Sequence, residues 1–378
     1  MLRVLHVTED HSIRNTGITG TLDKLLRRLP TEISCALLCT ASDPVAPPDG
    51  VRLYSLLPGR VGRPWHWALG QRRALSCAIS ESDVVHLHGL WMWVQWAAAQ
   101  EAVRSARPFL VTPFGMLEPW LWSGQSPANQ LKKQVYWRIF ASPAFRAAGA
   151  IHALTAHEAD GLTSFFPGQR IEILPFGIDL AEADQALNTL AENGAPDQPY
   201  FLYMGRLHPK KGIDLLLQAF ARLPERGFRL KIAGPVQPGC EGYAARLQAL
   251  ASQPDLAGRV DFTGPVYGAE KWRLLRQAWA FCLPSYSEAI ALVNLEAGAA
   301  GTPVITTYET GVVADWERQG GLLVHPETGA LLSALSQATC WTGSERQGRG
   351  AALRRLIETH YNWSVLAPQW AGLYRTLA

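Results

Sequence analysis

Short apolar runs of β type alternate with longer amphipathic stretches along this chain, and no other feature constrains the fold as strongly. A wholly apolar run suits a strand covered on both faces, and an amphipathic stretch after it suits a helix lying on the sheet. The pattern therefore predicts βαβ units on a parallel sheet, a doubly wound fold. In the first half LRVLHV is followed by an amphipathic Thr21–Leu29, DVVHLHG by Trp91–Ala106, and PFLVTPFG by a helix over Leu131–Ala148. The pattern pauses after IEILPFGIDL, where Ala181–Pro199 is polar, small and turn-rich and reads as a linker. It restarts with YFLYMGRL and helix Ile213–Leu223, RLKIAGP and helix Gly242–Ala251, RVDFTGPV and helix Ala269–Ala278, AFCLPSY and helix Ala291–Ala300, then TPVITT.

At 378 residues the chain suits two such domains better than one. The expected division is a first Rossmann-like domain over 1–185, a second over 198–360, and a helix over 361–378 packing across the boundary. Trp363, Trp370 and Tyr374 are its expected anchors. With 48% hydrophobic and 18% charged residues the chain should fold throughout. A net charge of +3 gives no basic stripe of the kind that tracks nucleic acid, so nucleic acid is not an expected partner. The six cysteines stand in apolar surroundings without metal-site or disulfide spacing and read as buried hydrophobes of a reducing compartment. MLRVLHVTED reads as a strand and not a leader, and the longest uncharged apolar stretch, Gly89–Gln100, is shorter than the ~20 residues that span a bilayer. A cytoplasmic location, with possible peripheral contact on the inner face of the membrane, is the expectation.

In open parallel sheets ligands lie beyond the carboxyl ends of the strands, so residues just after each strand are the candidates. Thr16-Gly17-Ile18-Thr19-Gly20 opens a helix after the first strand; Gly17 and Gly20 either let backbone N–H groups approach a phosphate or sugar, or form an ordinary tight turn. In MGRLHPKKG, Arg206 and Lys211 follow the first strand of the second half. There they suit a diphosphate, the alternative being a solvated basic turn. In SEAIALVNLEAGAAGTPVITT, Glu288 and Glu296 are eight positions apart, about 12 Å along the axis if the segment is helical. That spacing suits an extended ligand, with sugar hydroxyls on one carboxylate and ribose hydroxyls on the other. The apolar Ala289, Ile290, Ala291, Leu292 and Val293 between them argue against two solvated surface glutamates. His88 and Phe114 end two successive strands. His88 either orients a donor or acceptor hydroxyl or is satisfied by local hydrogen bonds. Thr155 followed by Glu158 reads as a capping box and hence as structural.

MGRLHPKKGIDLLLQAF, the Glu288–Glu296 segment with GTPVITT, VVHLHGLW and ILPFGID together resemble the retaining glycosyltransferases of family four, over nearly the whole chain. The resemblance implies the GT-B fold, two Rossmann-like domains facing across a cleft, with acceptor mainly on the N-terminal and nucleotide sugar mainly on the C-terminal one. It implies that Arg206 and Lys211 neutralise the departing diphosphate, Glu288 binds the donor sugar and Glu296 the ribose. Gly17 and Gly20 would border the donor pocket, and Val266 and Tyr267 would lie near the base. Fixed cations then stabilise the leaving group and no metal is expected, in keeping with the lack of any Asp-x-Asp triplet. Two departures stand out. Phe114 replaces a common histidine thought to contact the sugar, which points to a donor lacking a hydroxyl there, as in a 6-deoxy sugar. Ala289 follows Glu288 where glycine is usual.

Asp49 to Glu81 holds Arg52, Arg60, Arg63, Arg72, Arg73, Trp65 and Trp67 with no acid between. Pro119 to His157 holds Lys132, Lys133, Arg138, Arg146, Trp120, Trp122, Trp137, Phe140 and Phe145, also without an acid. Such surfaces suit an anionic membrane interface and lipid-linked saccharide acceptors, unless the aromatics are core and the cations merely solvated. Two other functions fit the same architecture. A nucleotide-sugar epimerase would need acid and base residues that the sequence does not show. A catalytically silent binding subunit is favoured by Phe114 and opposed by Arg206, Lys211, Glu288 and Glu296.

Overall fold

A computed structural model describes residues 1–12, 16–40, 43–56, 71–121, 126–189 and 197–378. They form two compact units, Met1–Phe176 with Ser364–Ala378, and Gly177–Trp363. The first unit is built on seven parallel strands: β1 Leu2–Thr8, β2 Ile33–Cys39, β3 Arg52–Ser55, β4 Val84–His88, β5 Phe109–Thr112, β6 Ala150–Ala153 and β7 Ile171–Ile173. Their spatial order is β3-β2-β1-β4-β5-β6-β7. The second unit has six, β8 Tyr200–Met204, β9 Arg229–Ala233, β10 Val260–Gly264, β11 Ala280–Leu283, β12 Val304–Thr307 and β13 Leu322–Val324, in the order β10-β9-β8-β11-β12-β13. Both are doubly wound. In each, the order reverses between the first and fourth strands, and a crevice opens beyond the carboxyl ends at such a reversal.

Central strands such as β8 and β11 are buried along their whole length, which is why their sequences are apolar without alternation, while β4, equally buried, encloses His86 and His88. The sequence reading passed over β3, whose ends are exposed at the sheet edge and which carries no apolar run. It also took 181–199 for a linker, whereas Leu180–Asn188 is a helix. Asp179 caps that helix by accepting from Glu182 N–H at 3.2 Å, and Leu180 and Ala183 are buried against the second unit. Ala186 and Leu187 also pack on that core, so Leu180, Ala183 and Leu187 keep the i, i+3, i+7 spacing of a helix, which the sequence reading overlooked. Residues 190–196 of the expected linker lie outside the described residues.

The terminal helix Trp363–Leu377 belongs, from Ser364 on, to the first unit. Trp370 and Tyr374 are fully buried there. Trp370 donates its indole N–H to Pro175 O at 3.2 Å and stacks on Phe176, and Tyr374 O–H lies 2.9 Å from His86 Nδ1. Removing an aromatic buried to this degree typically costs about 3–5 kcal/mol. Trp363 stays with the second unit, packed against Gly177, where any Cβ would come within 2.9 Å of it.

Candidate functional site

In the second unit the turn after β8 and the loop after β11 meet at the reversal of strand order. Tyr203 O–H holds Arg206 O at 2.9 Å, and Pro209–Lys211 forms a single 3-10 turn capped by His208, whose Nδ1 accepts Lys210 N–H at 3.0 Å. Gly212 then takes φ +64, with its α-carbon so close to the neighbouring loop that a Cβ would sit 2.1 Å from Pro284 O. Tyr286 N–H donates to Lys210 O at 2.8 Å and ties the two loops together. This backbone contact sets Lys211 beside Glu288.

Lys211 Nζ lies 2.5 Å from Glu288 Oε1, and Ser285 O–H donates to the same oxygen at 2.9 Å. Glu288 is only 12% exposed. Burial alone would raise its pKa, but the charges of Lys211 and Lys210 and the hydrogen bonds from Lys211 and Ser285 prevail and hold it below the ordinary carboxylate value. Glu288 is therefore an ionised, acceptor-only group. Arg206 is exposed on the same turn, its guanidinium donating to Gln237 Oε1 at 2.7 Å. Ser285, Lys210 and Gln237 were not among the sequence candidates. Ser285 had a visible signal, a serine three residues before an acid.

The sequence ruler between Glu288 and Glu296 does not apply, because the helix runs only from Leu292 to Ala299. Glu288 N–H instead donates to Glu309 O at 2.8 Å and Ala291 N–H to Thr310 O at 3.4 Å. These bonds hold 288–291 as a loop against the end of β12. Ala289 and Ile290 are half-buried in this loop and Ala291 is buried, while Leu292 opens the helix. Glu296 lies within the helix, its Oε1 2.9 Å from Lys271 Nζ, a lysine that the sequence reading did not single out. Val266 packs on the core, whereas Tyr267, just before the helix Gly268–Gln277, is 74% exposed. A separate cavity of about 700 Å³ is lined by Gln277 and Gly301, just before the amino ends of β11 and β12. Its Arg346 and Arg354 are taken up by helix-terminal carbonyls, including Ala278 O and Ala299 O, and need no ligand to explain them.

In the first unit the equivalent point lies after β1 and β4. Glu9 is held there by the Gln95 amide, which also donates to His88 O at 2.8 Å. Burial raises the Glu9 carboxyl above the ordinary range, against its hydrogen bonds. Gly89 stands at φ +91, where a side chain is strained, and a Cβ there would press on Glu9 Oε2 and Gln95 Nε2 at 3.2 Å. Sequence reading missed Glu9, although it stands directly after the first strand. His88 has no exposed surface. Its Nε2 is 3.0 Å from His6 Nδ1, within a buried group that includes His86 and His152. Local bonds satisfy one of its ring nitrogens, Nε2, while Nδ1 is buried without a partner among the described residues.

Phe114 stands at φ +55, a left-handed conformation unusual for a bulky residue, and stacks on Phe176 at 5.8 Å. Thr155 caps the helix Ala156–Leu162 by accepting Glu158 N–H at 3.1 Å, but the box does not close. The Glu158 carboxylate accepts Leu154 N–H at 2.8 Å and Gly115 N–H at 2.5 Å, tying the loops after β5 and β6. Gly17 and Gly20 lie in the first turns of the helix Thr16–Arg28, and a Cβ on either would meet nothing within 4 Å, so the fold does not require glycine at them.

Residues 188–338 match the family model described as glycosyl transferases group 1, and residues 16–177 match the glycosyl transferase 4-like domain. The chain belongs to the group 1 glycosyl transferases. A D-inositol 3-phosphate glycosyltransferase of Mycobacterium sp. (strain JLS) is 36% identical over 165 residues, 42% of this chain and 37% of that protein. The enzyme of the same name from Pseudarthrobacter chlorophenolicus is 31% identical over 288 residues, 72% of this chain and 66% of that protein. The matches thus span less than two thirds of the length of these relatives. Among solved structures, Anabaena HepE in complex with UDP superposes with a TM-score of 0.78 at 17% identity, covering 100% of both chains. The same protein has also been solved with UDP-glucose. The shared fold is GT-B, two Rossmann-like α/β units.

Proposed function

We propose that this group 1 family member moves a sugar from a nucleotide-sugar donor to a glycan or lipid-linked saccharide acceptor, with retention and without a metal, in surface polysaccharide or glycolipid synthesis. The supporting observation is Lys211 set on ionised Glu288 at the strand-order reversal of the second unit, with Arg206 exposed on the same turn. Arg206 and Lys211 receive the diphosphate and stabilise the charge that develops as the glycosidic bond to it breaks. Lys211 turns from Glu288 to the phosphate as the donor enters, and Glu288 turns its released oxygen to donor hydroxyls. Glu296 and Lys271 take the ribose side, Val266 and Tyr267 the base, Gly17 and Gly20 the pocket edge. The acceptor hydroxyl attacks on the face that the diphosphate leaves. Phe114, which offers no hydrogen bond, fits a donor sugar without the hydroxyl met there, a deoxyhexose. Uridine diphosphate sugars are the first donors to test, because HepE has been solved with UDP and UDP-glucose.

The test is a thermal-shift panel of nucleotide sugars with and without chelator, followed by transfer and donor-hydrolysis assays. One nucleotide sugar should stabilise the protein with chelator present. Lys211→Ala should lower kcat roughly 10²- to 10³-fold, as removal of one charge-stabilising group typically does. Stabilisation without hydrolysis or transfer would move the reading to a silent binding subunit, and no stabilisation by any nucleotide sugar would remove the proposal.

A further inference from the structure

The segment Pro127–Phe145 is continuous: an α-helix to Tyr136, a π-turn over Trp137–Ala141 and a last α turn over Ser142–Phe145. Tyr136, Ala141, Ala144 and Phe145 are buried beneath it. Tyr136 and Ala141 are five apart and share the inner side because the turn between them closes i to i+5. The outer side is apolar where a surface helix is ordinarily polar. Leu131 is 62% exposed, Val135 44%, Ile139 61% and Phe140 42%. The first three follow the i, i+4, i+8 spacing of one helix stripe, and the wide turn leaves Phe140 outside beside them. Large apolar side chains gathered on one exposed face mark a docking surface.

Charge decides what docks. Lys132, Arg138 and Arg146 are exposed along the same segment, and none of them pairs with a carboxylate among the described residues. No Asp or Glu stands between Pro119 and His157, and Glu158 beyond is buried. A second copy docking by this face would set cations against cations. We propose that the face docks on an anionic lipid bilayer, with Leu131, Val135, Ile139 and Phe140 entering the acyl boundary and Lys132, Arg138 and Arg146 lying on the head groups. Lys133 is spent inward, over the Trp91 ring at 5.6 Å. The basic aromatic stretch Asp49–Glu81 lies in large part outside the described residues, including Arg60, Arg63, Trp65 and Trp67, and is not needed for the proposal.

The docking is read without donor or turnover, so it stands or falls apart from the transferase reading. The whole chain is sedimented with vesicles of phosphatidylglycerol and phosphatidylethanolamine, or of phosphatidylcholine alone, at low and high salt. The anionic vesicles should carry it down and the neutral ones much less, with salt weakening the binding. Leu131→Gln with Ile139→Gln, and separately Lys132→Glu with Arg138→Glu, should lower partitioning roughly tenfold or more. Val103→Gln, at an exposed apolar residue elsewhere, should change nothing. Equal partitioning to both vesicle types, binding untouched by either pair, or a dimer in light scattering that the apolar pair dissolves would each overturn the proposal.

Discussion

Lowering the pH from 7.5 to 5.5 should destabilise the first unit far more than the second. His6, His86, His88 and His152 are fully buried, and burial lowers all four pKa values: His6 to about 3, His152 to about 4, His86 and His88 well below the ordinary value. A depressed histidine contributes stability that is present above its unfolded pKa, near 6.5, and is lost as pH falls, because the unfolded chain takes up a proton that the folded one refuses. Between pH 7.5 and 5.5 each such group loses about 1.4 kcal/mol, so four lose about 5.6 kcal/mol. His11 and Glu9, whose pKa values are raised, act with the opposite sign and trim this total. The remainder is still comparable with the whole stability of many domains, roughly 5–15 kcal/mol.

Native-state hydrogen exchange read by mass spectrometry resolves the two units. After correction for intrinsic rates, protection of Leu2–Thr8 and Val84–His88 should fall roughly 10³- to 10⁴-fold between the two pH values. Tyr200–Met204 in the second unit is the internal control. His152→Gln keeps groups able to bond Thr112 and Leu174 O and removes one titrating ring, so it should take away about one decade of that fall. Equal protection at both pH values, or a fall that His152→Gln leaves unchanged, would refute the reasoning.

Two further perturbations separate fold from chemistry. Gly212→Ala places a Cβ 2.1 Å from Pro284 O at φ +64 and forces apart the loops that carry Lys211 and Glu288. Calorimetry should show the second unit destabilised by about 2–4 kcal/mol, with weaker donor stabilisation, and an unchanged transition would mean that the contact does not position the pair. Phe114→His restores a hydrogen-bonding group at the end of β5. The ratio of turnover with ordinary hexose donors to turnover with 6-deoxy donors should rise, and an unmoved ratio would remove the deoxy-sugar reading.

The repeated strands were legible because burial on both faces writes them as apolar runs, as in YFLYMGRL and AFCLPSY. Arg206 and Lys211 were singled out because they follow the first strand of the second half, and the structure sets Lys211 beside Glu288. What local pattern hides is set by distant backbone. The path from Glu288 to the helix is not written locally, since Glu288 and Ala291 N–H groups are claimed by Glu309 O and Thr310 O from the end of another strand. Lys271 meets Glu296 across two helices 25 positions apart, a pairing that no spacing rule reaches.

Both units share one winding, yet their strand-order reversals differ in charge. In the second, Arg206, Lys210 and Lys211 stand together on a tight turn, with Lys211 on the ionised Glu288. An anion is drawn there by cations already held in place. In the first, the corresponding point offers the Gln95 amide and a Glu9 carboxyl displaced toward its neutral form. Such groups attract no phosphate but suit hydroxyls, which exchange single hydrogen bonds without a charge to neutralise. In the proposed reaction the nucleotide diphosphate therefore belongs to the second unit and a saccharide to the first. Local residue chemistry makes that assignment, since the fold alone would allow either.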